Sequence, residues 1–318
     1  MSYIKHEKLF KFEYSDFVYP KITTLDKVTI IAFTLNQYNK KAMNKILVPC
    51  DFSDTSKNAL SYAIELAKNL SADLLLLHVA QLPVMNSEFG LTSYSIPNNN
   101  ADNKALLEEL AAKIKQDHST ITNVTCYAEI GNANDVIVEY SKNYDITFTV
   151  MGISGHGNKL MKAFLGSTAV NVSKETMTPL IIVPPDASYK KIENIAFACD
   201  YDEHIESNTS LLQVKALNSI LGATLNVLHV VPENHNLNFK ESHIDSFVEH
   251  SLETATHKTF IITDNDISEG LLEFVEYHDI DAIIIEPKKH SFFHTLFYPS
   301  ITNEVAFNSP VPVITIHG

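Results

Sequence analysis

Two short segments that contain glycine and hydroxyl residues are spaced along the chain in a way that suits a phosphate site. Gly152 and Gly155 follow the apolar run Ile146–Met151, and the segment Gly166–Thr168 comes after ten intervening residues. Glycine has no Cβ, so ligands can approach its backbone closely, and the free amides at a helix N-terminus carry partial positive charge. The pattern predicts a loop between a strand and a helix in which the main chain holds an anion.

The loop differs from the two commonest nucleotide signatures. No G-x-x-x-x-G-K-[ST] segment is present, and no G-x-G-x-x-G segment follows the first strand. All 24 basic residues are lysines, so the planar guanidinium used for bidentate phosphate contacts is absent. A phosphate site in this chain must rely on backbone amides, hydroxyls and lysine.

The net charge, the apolar runs and the cysteines of the chain limit the classes of partner and the compartment that it suits. The net charge of −14 disfavours nucleic acid, because affinity for a polyanion comes from clustered cations. The longest apolar run near the start, Val28–Leu35, is too short to cross a bilayer. The three cysteines, Cys50, Cys126 and Cys199, form no C-x-x-C pair, which favours buried free thiols and a reducing compartment. We therefore expect a cytoplasmic protein that binds neither nucleic acid nor membrane.

The sequence contains two copies of one unit. The segment Lys45–Asp51 is matched 149 positions later by Asn194–Asp200, and each is a short β-rich run that ends in an acid. Leu74–Val79 and Leu225–Val230 are apolar runs that both end in His-Val. The predicted elements include a helix from about Lys104 to Asp117 and strands at Val124–Ile130, Ile146–Met151, Leu180–Val183 and Ala282–Ile285. Strands alternate with helical segments in both copies, which predicts right-handed βαβ crossovers and a doubly wound parallel sheet in each.

We predict three regions from this pattern. Residues 43–188 form the first domain and residues 189–318 the second. Residues 1–42 fit neither repeat, and eight of these 42 residues are Phe or Tyr. This N-terminal extension is either an accessory strand or a segment that is not part of the native protein.

From Met43 to His317 the chain resembles the universal stress protein family in its tandem two-domain form. The resemblance rests on a Pro-x-Asp-Phe-Ser opening at Pro49–Ser53, on the His-Val end of the second strand and on the glycine loop. In the nucleotide-binding branch of the family the loop reads G-x-x-G, nine residues, then G-[ST], whereas here ten residues separate Gly155 from Gly166. The resemblance implies an α/β fold made of two tandem domains, each Rossmann-like and similar to the adenine nucleotide alpha hydrolases.

The resemblance also implies a ligand, which is ATP or a related adenine nucleotide, with Mg²⁺ as its companion. Asp51 would lie beside the adenosine, and the Val79 backbone would read the adenine edge. The ribose and phosphates would be held by glycines and hydroxyl residues of the loop, namely Gly152, Gly155, Gly166, Ser167 and Thr168. A ligand at the carboxyl ends of the strands is what an open α/β sheet favours.

The second repeat departs from this pattern. Glu286 stands where the first repeat has Gly152, and Pro299 stands opposite Gly166. A carboxylate and Cβ-bearing residues both oppose phosphate binding. We expect this repeat to be structural or partner-binding, and to pack on the first repeat through their last strands in place of the homodimer partner of single-domain relatives. Tandem chains could also pair further as homodimers.

Other interpretations remain open from the sequence. Gly166 and Ser167 could be a loop and a helix N-cap, and Asp51 could equally cap the first helix. No nucleophile elbow, H-E-x-x-H or H-x-G-H segment is present, so at most weak ATP hydrolysis is expected. The alternatives to a nucleotide sensor are a ligand-free interaction scaffold of the same fold and a slow ATPase or phosphotransferase.

Overall fold

Apolar β-rich segments alternate with amphipathic segments along the chain. In the structure, which is a computed structural model, the apolar segments are strands and the amphipathic segments are helices. The structure describes residues 44–80, 99–153, 167–199, 209–231, 248–286 and 299–316. All of these belong to one compact unit, Lys41–Gly318.

Ten strands occur in the described residues. They are β1 (Lys45–Pro49), β2 (Asp73–Ala80), β3 (Val124–Ile130), β4 (Phe148–Gly152), β5 (Leu180–Val183), β6 (Asn194–Ala198), β7 (Thr224–Val231), β8 (His257–Thr263), β9 (Ala282–Ile285) and β10 (Val313–Thr315). The helices whose bounds are described are α1 (Asp54–Leu70), α2 (Asn99–Asp117), α3 (Ala133–Asn143), α4 (Ser167–Glu175), α5 (Thr209–Leu221), α6 (Ile267–Tyr277) and α7 (Pro299–Asn308). Residues 248–251 are also helical.

The strands form one sheet in the order β3-β2-β1-β4-β5-β10-β9-β6-β7-β8. Read inward from either end, the order is the same in both halves, which confirms the duplicated α/β architecture expected from the sequence. Strand neighbours are parallel within each half. The exception is the central pair, where β5 and β10 run antiparallel with Ile182 opposite Val313 and Leu180 opposite Thr315.

Both faces of the sheet are buried, which explains why its strands are continuous apolar runs. Ile46 and Val48 of β1 face one apolar cluster, while Leu47 between them faces the other. The first cluster contains Ile181 of β5 as well as Ile314 of β10, so it continues from one half into the other. The hydrophobic core therefore spans the central antiparallel pair.

Element boundaries differ from the predicted ones by a few residues. The helix predicted from Lys104 begins at Asn99, because Asn100 Nδ2 donates a 3.0 Å hydrogen bond to the Ala128 carbonyl and ties the first turn to β3. The strand predicted over Ile146–Met151 runs from Phe148 to Gly152 instead. Among the described residues, none of the helices combines the length and the apolar character that a membrane span requires.

Candidate functional site

The carboxyl edge of the first half contains a switch point. β1 has β2 on one side and β4 on the other, so the chain winds away from β1 in one direction and then returns to wind in the other. A crevice opens at the carboxyl ends of two such strands, and this is where open α/β sheets bind ligands. Asp51 follows β1, and Gly152 is the last residue of β4.

Asp51 is an exposed carboxylate on the rim of this crevice. Its Oδ1 accepts hydrogen bonds from the backbone amide of Ser53 at 3.0 Å and from the Ser53 hydroxyl at 2.5 Å. Partial burial alone would raise the pKa of Asp51, but hydrogen bonds from Ser53 and Ser56 outweigh that effect and hold the pKa below its ordinary value. Asp51 is therefore ionised at neutral pH.

Ser53, not Asp51, caps the first helix. Its hydroxyl accepts from the Ser56 amide at 3.1 Å, and α1 begins at the next residue, Asp54. An N-cap side chain of this kind satisfies one of the amides that a helix leaves without an intrahelical partner. Asp51 accepts two hydrogen bonds from this capping residue and remains exposed.

Val79 lies at the same edge on the neighbouring strand. Pro49 of β1 pairs with Leu77 of β2, so Val79, two residues further along, lies beyond the end of β1 on the side where Asp51 stands. Its side chain is half-buried and packs on the apolar cluster. Its backbone belongs to β2 and pairs with Glu129 of β3.

Gly152 lies against the first turn of α1. A Cβ at this position would be 2.4 Å from the Thr55 carbonyl oxygen and 2.7 Å from Thr55 Cγ2, far inside normal contact. The glycine is thus required for the close approach of α1 to β4, a packing role that sequence reasoning missed. Only the position of a glycine at the end of an apolar strand could have indicated it.

Ser167 and Thr168 begin α4, and Thr168 is half-buried. α4 ends at Glu175, and the chain then enters β5 at Leu180, so the helix runs back along the sheet with its N-terminus at the carboxyl edge. The first amides of a helix lack intrahelical partners and attract negative charge. Gly155 and Gly166 lie outside the described residues. Five predicted residues are thus at one edge of the sheet: Asp51, Val79, Gly152, Ser167 and Thr168.

The repeated His-Val pairs have the same geometry in both halves. His78 Nδ1 is 2.7 Å from the Cys50 carbonyl oxygen, and His229 Nδ1 is 3.3 Å from the Cys199 carbonyl oxygen. Each histidine therefore braces the end of the neighbouring strand, β1 or β6. The described residues contain no group of three His, Cys, Asp or Glu side chains that could hold a metal ion.

The sequence and the fold match a known family. The family model described as "Universal stress protein family" matches residues 43–184 and 193–317. The chain belongs to the universal stress protein family. The two matches correspond to the two halves of the sheet.

Individual relatives agree with this assignment. The universal stress protein YxiE of Bacillus subtilis is 31% identical over 147 residues, which are 44% of this chain and 98% of that protein. A universal stress protein from Archaeoglobus fulgidus has a similar crystal structure, with a TM-score of 0.65, 19% identity, and coverage of 86% of this chain and 98% of that one. A functionally unknown protein from Pseudomonas aeruginosa has a TM-score of 0.52 at 13% identity, over 89% of this chain and 94% of that one. At these identities the two structures show the shared fold.

The second universal stress protein repeat has a different side chain at the edge. Ile195 pairs with Ala282 as Ile46 pairs with Phe148, and this register places Glu286 where the first repeat has Gly152. Glu286 is half-buried. A carboxylate side chain thus stands in the second repeat where the first repeat has a glycine packed against α1.

Hollows of about 530 Å³ and 450 Å³ in this universal stress protein lie along β3, the edge strand of the first half of the sheet. The first is lined by acids and tyrosines that include Glu129, Glu139 and Tyr140. Tyr140 donates to Glu129 at 2.5 Å and stacks on Tyr144, with ring centroids 4.7 Å apart. Phe260, Phe274 and His278 form a similar cluster in the second repeat, so this feature belongs to the common packing of the fold.

Proposed function

We propose that the protein is a stress-response sensor whose first repeat binds an adenine nucleotide, with ATP as the leading candidate. The observation that carries the proposal is the convergence of Asp51, Val79, Gly152 and the α4 N-terminus at the switch point. The residues are those that the family resemblance assigns to the nucleotide. The position is the one where doubly wound sheets bind such ligands.

The chemistry of the edge suits a nucleotide in a chain without arginine. The amides at the start of α4 supply partial positive charge for phosphates. Asp51 is ionised and accepts only, so its free oxygen suits the hydroxyl donors of a ribose. The peptide groups of Val79 would form hydrogen bonds with the edge of the adenine.

Mg²⁺ would accompany the nucleotide and would not occupy a site made by the protein alone. The part of the chain that the structure describes offers no cluster of metal-ligating side chains. Mg²⁺ commonly binds through substrate phosphates and retained waters, with one or two carboxylates. The protein's part is to bind and orient the nucleotide, and ATP hydrolysis would be weak.

The second repeat, residues 189–318, would serve as the permanent partner of the first repeat, residues 43–188. The pairing of β5 with β10 and the core cluster that they share support this proposal. Glu286 makes a second nucleotide site unfavourable because it brings a carboxylate toward phosphate. Cys50, Cys126 and Cys199 form no disulfide with one another, which suits the reducing cytoplasm.

Isothermal titration of the purified protein with ATP, ADP and AMP tests the proposal. Asp51→Ala and Gly166→Val should each weaken binding at least about tenfold, which corresponds to about 1.4 kcal/mol. Gly152→Val is a poor probe because its side chain would collide with Thr55. Glu286→Gln is the matched control and should leave the affinity unchanged. Failure of the unmodified protein to bind any of the three nucleotides would overturn the proposal.

One observation favours the ligand-free scaffold as a second candidate. The contact with Thr55 explains Gly152 without a ligand. A scaffold would capture the same partner proteins with and without nucleotide. A sensor would gain or lose partners when ATP is added, so affinity capture in both conditions separates the two functions.

A further inference from the structure

His78 contacts the residues on both sides of Asp51. Its Nδ1 lies 2.7 Å from the carbonyl oxygen of Cys50, the residue before Asp51. Its ring stacks on Phe52, the residue after Asp51, with centroids 5.0 Å apart and planes inclined by 28°. One side chain of β2 thus holds the turn between β1 and α1 at two points.

These contacts fix the backbone that carries Asp51. The Cys50 amide donates to the Leu77 carbonyl at 2.8 Å, and the Cys50 carbonyl accepts from His78, so both polar groups of Cys50 are held by β2. A carbonyl oxygen is only an acceptor, and His78 Nδ1 therefore carries the proton. The peptide plane that leads into Asp51 has little freedom to rotate.

Phe52 shows that the turn is conformationally demanding. Its φ of +64° lies in the left-handed region, which costs a bulky residue energy and persists only where the surroundings impose it. The stacking of Phe52 on His78 supplies such a constraint. Asp51 lies between a fixed peptide and a strained residue, and the His78 imidazole contacts both of them.

We propose that His78 is a positioning residue for nucleotide binding, acting through Asp51. The inference rests on the proposed function, in which Asp51 meets the adenosine. His78 orients the Asp51 carboxylate before the ligand arrives, so that binding does not have to order the turn. Preorganisation of this kind raises the affinity for the nucleotide, because less conformational entropy of the turn is lost on binding.

The second repeat provides an internal control. His229 makes the same contact with the Cys199 carbonyl, at 3.3 Å, but the edge of that repeat bears Glu286 in place of Gly152. A role limited to strand packing would make the two histidines equivalent. A positioning role makes only His78 matter for ATP.

The experiment compares His78→Ala, His78→Asn and His229→Ala in the full chain, by calorimetric titration with ATP and by thermal denaturation. We expect His78→Ala to weaken ATP binding about tenfold, a change expected for loss of one well-placed interaction. His78→Asn should recover most of the affinity, because its amide nitrogen occupies the place of Nδ1. His229→Ala should lower the melting temperature like His78→Ala while leaving the ATP affinity unchanged.

A double-mutant cycle with Asp51→Ala isolates the route of the effect. If His78 acts through Asp51, then His78→Ala adds nothing to the loss of ATP affinity that Asp51→Ala already causes. Fully additive losses, or an unchanged affinity in His78→Ala, would overturn the inference while the proposed function stands. No ATP binding by the unmodified protein would overturn both. If His78→Ala does not fold, the ATP affinities of His78→Asn and His78→Gln are compared instead. The amide of Gln is displaced by one methylene, so weaker binding by His78→Gln supports the inference and equal binding overturns it.

Discussion

The side-chain hydroxyls of Thr149 and Ser141 lie 2.9 Å apart inside the core of the first repeat. Both side chains are buried, and Ser141 also donates to the Ile137 carbonyl at 2.8 Å. A buried hydroxyl with a partner is tolerated, whereas one without a partner costs free energy. Thr315 of β10 is the contrasting case. It is 1% exposed, and its Oγ1 finds no hydrogen-bond partner among the described residues.

We predict that Thr315→Val stabilises the protein and Thr149→Val destabilises it. Valine keeps the branched shape that both strands require. Removing the unpaired Thr315 hydroxyl should raise the free energy of unfolding by about 1 kcal/mol, and breaking the Thr149 hydrogen bond should lower it by a similar amount. Urea denaturation of both variants checks the signs. Equal losses in the two would show that Thr315 has a partner.

Gly152→Ala should destabilise the first repeat by about 1–3 kcal/mol, as overpacked cores do. The added Cβ would meet the Thr55 carbonyl at 2.4 Å, and a carbonyl cannot move without shifting α1. Thr55→Ala is the matched background, because it removes Cγ2 but leaves the carbonyl in place. The loss measured by chemical denaturation should therefore persist when Gly152→Ala is made in Thr55→Ala. Full recovery there would mean that only the methyl group was in conflict.

The residues that follow α1 and α5 should respond oppositely to exchange. Ser71 and Gly222 both adopt left-handed backbone, with φ of 51° and 69°. Glycine occupies this region without the steric cost that a Cβ brings. Ser71→Gly should therefore stabilise the protein and Gly222→Ser destabilise it, each by about 1 kcal/mol. Midpoints of urea unfolding with unchanged slopes provide the measurement, and shifts of the same sign would contradict the argument.

The three thiols should differ in reactivity. Cys50 and Cys199 are 5% and 6% exposed, while Cys126 is half-buried. Burial raises the pKa of Cys50 to about 12, and burial also raises the pKa of Cys126. Only the thiolate reacts quickly, and burial disfavours it at both Cys50 and Cys126, so solvent exposure sets the order of reaction. Cys126 should be the first to react with Ellman's reagent in the folded protein. Cys126→Ala should abolish the fastest phase of colour development, and a fast phase that survives would locate the accessible thiol elsewhere.

Asp51 should make a small contribution to stability that depends on pH. The folded-state pKa of Asp51 lies below the unfolded value of 3.8, because hydrogen bonds from Ser53 and Ser56 overcome partial burial. The contribution is therefore present above that value and is lost as the pH falls through the lower folded-state pKa. Asp51 is exposed, so we expect about 1 kcal/mol or less.

Denaturation of Asp51→Asn across the acid range measures this contribution. The variant should be less stable than the parent protein at neutral pH, and the difference should shrink below pH 3.8. A difference that stays constant with pH would show that the carboxylate charge is not involved.

The duplicated fold follows from the sequence because β-rich runs recur in the same order, with Lys45–Asp51 matched by Asn194–Asp200. Strands buried on both faces leave a continuous apolar signal, and β3, β5 and β9 have the predicted bounds. Helix starts are harder to predict because they depend on local hydrogen bonds. Serine and aspartate two residues apart both suit an N-cap, and only geometry shows that Ser53 fills that role.

Site residues are predicted as a group more readily than as individuals. Topology alone brings the ends of β1, β2 and β4 to one edge, so Asp51, Val79 and Gly152 lie at that edge, and their contact with a nucleotide stays a prediction. The contact of Gly152 with Thr55 depends on how α1 packs against the sheet, and the two contacts of His78 depend on the conformation of the turn between β1 and α1. Contacts of this type join residues far apart in sequence and have no local signal.

The antiparallel union of β5 with β10 has a consequence for biosynthesis. A nascent chain folds its N-terminal part first, yet β5 spans Leu180–Val183 and its neighbour on that side, Val313–Thr315, is synthesised only after the rest of the second repeat. Until then the growing polypeptide presents an unpaired apolar border at β5, on which strands of other chains can pair and aggregate. Translation of this protein therefore includes an interval in which a chaperone, or a fast downstream half, must protect that border.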